Sequence, residues 1–105
     1  MLAIMAQLVE RGARITVPTC VVGEWWRGQR GPAARVLDAV VVEPLTLALA
    51  RLAGEAMAVV RGATLVDAVV VASAAQRGDL VITGDLVDLS RIRDAAFRSV
   101  RLRPV

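Results

Sequence analysis

Thr64-Leu65-Val66-Asp67-Ala68-Val69-Val70-Val71-Ala72-Ser73-Ala74-Ala75-Gln76-Arg77-Gly78-Asp79-Leu80-Val81-Ile82-Thr83-Gly84-Asp85 reads as a helix, a stop and a strand in one run. Thr64 suits a helix N-cap, because its hydroxyl can accept a free amide of the first turn. The helix Leu65–Arg77 is apolar nearly all round from Leu65 to Ala75, which predicts a buried helix. Gly78 ends it. Leu80-Val81-Ile82-Thr83 is a continuous apolar run, as expected of a strand covered on both faces. Working towards the C-terminus, a helix from about Leu86 to Phe97 and a strand Val100–Arg103 follow. Working back, Thr46 caps a helix Leu47–Val60, and Val40-Val41-Val42-Glu43 is a strand covered on both faces and stopped by Pro44. Gly31-Pro32 opens a helix Ala33–Ala39. Before it, Thr19 caps a helix through Cys20, Glu24 and Trp26 that ends near Gly28. Arg14-Ile15-Thr16-Val17-Pro18 is a short strand, and Leu2–Glu10 is a helix stopped at Arg11-Gly12. Strands alternating with helices predict βαβ units, a mostly parallel sheet and an α/β fold in one domain, 1–105.

The composition narrows the chemistry. The 105 residues are 56% hydrophobic, 3% aromatic and 22% charged, which excludes a disordered chain. The mean hydropathy of +0.58 raises the question of a membrane span. The longest charge-free runs, such as Ile15 to Gly23 and Ala68 to Gln76, reach about half of the ~20 residues a span needs, so no membrane association is expected. The opening residues lack a basic n-region and a small-residue cleavage site, so no secretory signal is expected. Cys20 is the single cysteine, which fits a reducing, cytoplasmic setting. There is no histidine. That removes imidazole acid–base catalysis, Ser-His-Asp triads and imidazole-bound zinc. Carboxylates, arginines, hydroxyls and one thiol remain. All 13 basic residues are arginine, and the net charge of +3 with a pI near 10.9 favours a polyanionic partner.

Three acids are placed at one edge by this alternation. Ligands of open α/β sheets sit at the carboxyl ends of the strands. Glu24 lies on the helix leaving strand Arg14–Pro18, and Asp85 lies just past strand Leu80–Thr83. Asp67 lies in the first turn of a helix that runs back antiparallel to the strands, so its N-terminus reaches the same rim. Each has an ordinary structural role to set beside a functional one. Asp67 suits the helix dipole, although Ala63, Thr64, Val70 and Val71 give it no local ion-pair partner. Glu24 can pair with Arg27. Asp85 can cap the following helix. Asp88 can be the cap instead, or can orient a metal-bound water. Clustered carboxylates repel one another and are stable together only with a cation. Oxygen ligands alone select a hard one, Mg²⁺ or Mn²⁺. Such a site suits hydrolysis of a phosphodiester.

Other features divide between readings. Trp25 and Trp26 point about 100° apart on a helix, so one is expected in the core and the other at an interface or on a base. Arg27, Arg30 and Arg35 read equally as RNA phosphate contacts or as a solvated face. Arg91, Arg93, Arg98, Arg101 and Arg103 read as solvated surface. Cys20, in a Val-rich stretch, reads as a small core residue and not a nucleophile. No Gly-rich loop follows a strand, which argues against a general phosphate-binding domain.

Val17-Pro18-Thr19-Cys20-Val21-Val22-Gly23-Glu24-Trp25-Trp26-Arg27-Gly28 resembles the second acidic motif of PIN domains. There, a Val-Pro strand end leads into a helix bearing the acid, followed by an aromatic or apolar residue and Arg-Gly. Val66-Asp67-Ala68-Val69-Val70-Val71-Ala72 resembles the third motif, Asp-Ala-Leu-Val-Ala-Ala. Val81-Ile82-Thr83-Gly84-Asp85-Leu86-Val87-Asp88-Leu89 resembles the fourth, a strand ending in Thr-Ser-Asp followed by x-x-Asp-Leu. The motifs occur in family order across the whole of 1–105.

The resemblance implies a VapC-type toxin: a small Mg²⁺- or Mn²⁺-dependent ribonuclease of the toxin–antitoxin class, homodimeric, neutralised by a cognate antitoxin protein. It implies a three-layer sandwich with a mostly parallel sheet. It implies Glu24, Asp67 and Asp85 as catalytic, metal-holding acids, Asp88 as a supporting metal acid, and Thr83 as a supporting hydroxyl. PIN domains open on a central strand carrying a first acidic motif, which has no counterpart in 1–105. The expectation is therefore a PIN-like domain with its first central strand missing, one ligand fewer and reduced or absent activity. The alternative is a catalytically inactive PIN remnant that dimerises or binds an antitoxin.

Overall fold

A computed structural model describes residues 2–105. The chain divides into two compact units, Met1–Pro44 and Leu45–Val105. Each carries helices and one two-stranded parallel sheet, so the α/β class and the parallel pairing stand.

In the first unit, α1 (Leu2–Glu10) stops where Gly12 takes a positive φ of 78° and its amide donates to Val9 O. β1 (Thr16–Pro18) leads into α2 (Thr19–Trp25). Thr19 does not cap α2. The N-cap position falls on Pro18, and the Thr19 hydroxyl donates instead to the Glu43 carbonyl. That bond ties the start of α2 to the end of β2 (Val41–Glu43), which pairs with β1 from Thr16–Val41 to Pro18–Glu43. The helix expected over Ala33–Ala39 is shorter: α3 (Pro32–Arg35) tightens into a 3-10 turn at Val36–Asp38. β-branched Val36, with Asp38 at the negative end of the helix, disfavours another α-turn. β2 also departs from expectation. Val41 and Val42 are exposed, so this apolar strand is not covered on both faces.

In the second unit, α4 (Leu47–Val59) packs against α5 (Leu65–Arg77) and α6 (Leu86–Ala96), and α5 packs against α6. Thr46 and Thr64 cap α4 and α5 as expected, accepting from the amides of Leu49 and Asp67 at 3.2 Å each. Gly78 closes α5 in the left-handed region (φ 72°, ψ 28°), a conformation that glycine adopts without steric cost. β3 (Leu80–Thr83) and β4 (Arg101–Pro104) pair in parallel through the α6 crossover, forming one βαβ unit. Pro104 is tolerated in β4 as the last residue of the strand, and the pairing is closed beyond it by the Val105 amide on Thr83 O. β3 buries Val81 and Thr83 on one face and exposes Leu80 on the other, so it is covered on one side. α5 is buried through its middle, at Ala68, Val69 and Val71 to Ala74, while Leu65, Gln76 and Arg77 at its ends are exposed, so the burial expected of its apolar run holds in part. Its one polar core residue, Ser73, receives a hydrogen bond from Arg77 Nη2 at 2.8 Å. Leu49, Val69, Val71, Leu89 and Ile92 form the centre of this core. No helix among the described residues is long and apolar enough to cross a membrane.

Candidate metal centre

Three acids of the second unit come together. Carboxylate oxygens of Asp67, Asp85 and Asp88 all lie within 4.8 Å of one another. Asp67 is in the first turn of α5. Asp85 is the residue before α6, just past the carboxyl end of β3, and Asp88 is in the first turn of α6. The N-terminal ends of two helices therefore share one acidic site, and their dipoles favour negative charge there. Asp67 is half-buried, while Asp85 and Asp88 are exposed.

Two threonines set the backbone under these acids. The Asp67 amide donates to Thr64 Oγ1 at 3.2 Å, and the Asp85 amide donates to Thr83 Oγ1 at 2.9 Å. Thr83 is buried, so its hydroxyl is a fixed post. The Thr64 bond was legible as a helix cap, but its consequence for the acid three residues on was not drawn from the sequence. Asp85 occupies the N-cap position of α6 yet makes no capping hydrogen bond. Its carboxyl is turned to the other acids instead.

Desolvation, the negative charges of Asp88 and Asp67 and a hydrogen bond with Asp88 hold the Asp85 carboxyl above its ordinary range. Because the side chain is exposed, the like charges are the cause that a bound cation would reverse. The donor set fits such a cation. Oxygens ~2.1 Å from Mg²⁺ stand up to about 4.2 Å apart across the ion, close to the spread of this cluster, with water completing the shell.

Glu24 lies in the first unit, exposed on α2 near its C-terminal end. The structure brings together Asp67, Asp85 and Asp88, while Glu24 belongs to the first unit. Burial, with the nearby Glu24 charge, pushes the Cys20 thiol up, which suits a structural residue and not a nucleophile. Trp25 is half-buried and Trp26 exposed, with ring centroids 6.0 Å apart, so neither is fully buried. Arg27 Nη1 donates to the Gly23 and Trp26 carbonyls, closing the end of α2.

Comparison with family models, with curated proteins and with solved structures returned no match.

Proposed function

We propose that this chain is a Mg²⁺- or Mn²⁺-dependent ribonuclease of the PIN-domain, VapC-type toxin class, with Asp67 and Asp85 holding the metal and Asp88 supporting them. The observation that carries the reading is the convergence of Asp67, Asp85 and Asp88 within 4.8 Å at the carboxyl end of β3. The motif resemblance and the arginine-rich, histidine-free composition support it.

A divalent cation, when bound, supplies the charge that activates water and stabilises the oxygen displaced at phosphorus. The chain's own residues prepare for it. Asp67 and Asp85 present anionic oxygens on backbones pinned by Thr64 and Thr83. Burial and the like charges of Asp88 and Asp67 hold the Asp85 carboxyl up, and a bound cation would draw it back down. With no imidazole in the chain, proton transfers during hydrolysis fall to these carboxylates and to water.

Calorimetric titration with Mn²⁺ tests the site, with D67N and D85N alongside, followed by cleavage assays on structured RNA. Stoichiometric binding lost in both variants, with Mn²⁺-dependent cleavage in the wild type only, is expected. Absence of Mn²⁺ binding in the wild type overturns the reading.

A second reading is a non-catalytic module of the same class that pairs with a second copy or an antitoxin. Exposed Trp26, Val41 and Val42 favour it, since a partner would cover them. Self-association in sedimentation, with no Mn²⁺ binding, is its signature.

A further inference from the structure

Apart from the acids, the second unit carries a shallow groove of about 480 Å³ lined by Val59, Val60, Arg61, Arg91, Asp94 and Ala95. Arg61 lies in the turn between α4 and α5 that ends at the Thr64 cap. Arg91 lies on α6 at i+3 from Asp88, and so on the same helix face. Arg91 Nη2 donates to the Arg61 carbonyl, which brings the two residues to one place. Both are exposed. The acid of the lining, Asp94, is paired through Oδ1 with Arg93 Nε at 2.8 Å, so the groove keeps a positive balance. Val59 and Ala95 add exposed apolar surface to the lining.

We propose that this groove is an anchoring site for the RNA backbone, with Arg61 and Arg91 taking two adjacent phosphodiesters beside the one presented to the acids. The choice of RNA rests on the ribonuclease reading. The need for such an anchor is electrostatic. Three carboxylates repel a polyanion, and Arg91, one helical turn (~5 Å) along α6 from Asp88, with Arg61 bonded beside it, offsets that repulsion. Guanidinium forks match phosphate oxygens, and the apolar residues of the lining suit a ribose or base face.

The test is fluorescence anisotropy of a short labelled single-stranded RNA, with EDTA present so that no cleavage intervenes. R61A/R91A should weaken binding about tenfold and lower the salt slope of log K by about 1.4, as for two lost phosphate contacts. R101A, on β4, should change neither, and D94N should tighten binding. If the double variant loses its native circular dichroism, R61A alone reads the same effect at half the slope change, because Arg91 keeps its bond to the backbone carbonyl. Wild-type affinity and slope in R61A/R91A overturn the proposal, as does equally tight, arginine-dependent binding of a polyglutamate peptide. Failure of Mn²⁺ binding would refute the ribonuclease reading and leave this RNA result standing. Unchanged R61A/R91A binding beside intact Mn²⁺-dependent cleavage would refute the groove alone.

Discussion

The Asp85 amide donates to the buried Thr83 hydroxyl across 2.9 Å, so the acid at the end of β3 is positioned by the last residue of that strand. The bond spans the Gly84 turn and sets where the Asp85 carboxyl meets Asp67 and Asp88. Thr83→Val removes the acceptor and keeps the shape. It should cost about 1 kcal/mol of stability in denaturant unfolding. It should also weaken Mn²⁺ binding several-fold in calorimetry, while Thr83→Ser keeps both near wild type. A T83V variant with unchanged Mn²⁺ affinity would separate this hydroxyl from the site.

The raised Asp85 carboxyl has a pH signature. The folded state binds this proton more tightly than the unfolded state does. Its contribution to stability is therefore present below the ordinary carboxylate pKa and lost as pH rises through the raised value. In EDTA, Asp85→Asn should melt higher than wild type at neutral pH, and the gap should close on acidification towards about pH 4. Mn²⁺ should reverse the order, stabilising the wild type and not the variant. An Asp85→Asn protein that melts lower at every pH without metal would make Asp85 a structural acid.

Thr46 and Thr64 cap their helices in the same way, but only Thr64 holds the amide of an acid in the cluster. Thr46→Ala and Thr64→Ala should each cost about 1 kcal/mol in denaturant unfolding. Mn²⁺ affinity should fall in Thr64→Ala alone. Equal Mn²⁺ affinity in the two variants would show that the α5 cap does not position Asp67.

The parts legible in sequence are those where a local signal and burial agree. Thr64, the apolar run to Arg77 and Gly78 mark α5 at both ends, and Leu80–Thr83 marks β3. Asp67, Asp85 and Asp88 follow from the ends of these elements. The first unit was read less well because local signals there are overridden by partners distant in sequence. The Thr19 hydroxyl bonds Glu43 and not its own helix, and β2 has a buried strand's sequence with exposed valines. Arg61 carries no local signal in sequence, because its neighbour in the groove, Arg91, lies 30 positions away and meets it through a backbone carbonyl.

Burial differs sharply among apolar positions that look alike in sequence. Leu49 and Ile92 are each 1% exposed in the packed faces of α4 and α6, whereas Val42 in β2 is 38% exposed. Truncating a fully buried side chain removes its transfer free energy and leaves a cavity that neighbouring helices cannot close. Leu49→Ala and Ile92→Ala should therefore each cost about 2–5 kcal/mol. Val42→Ala leaves no cavity and loses only part of a strand preference, so it should cost under about 1 kcal/mol. Urea unfolding followed by far-ultraviolet circular dichroism measures all three. A Val42→Ala loss as large as that of Leu49→Ala would mean that β2 is covered in solution, and would assign its valines to a buried interface and not to open surface.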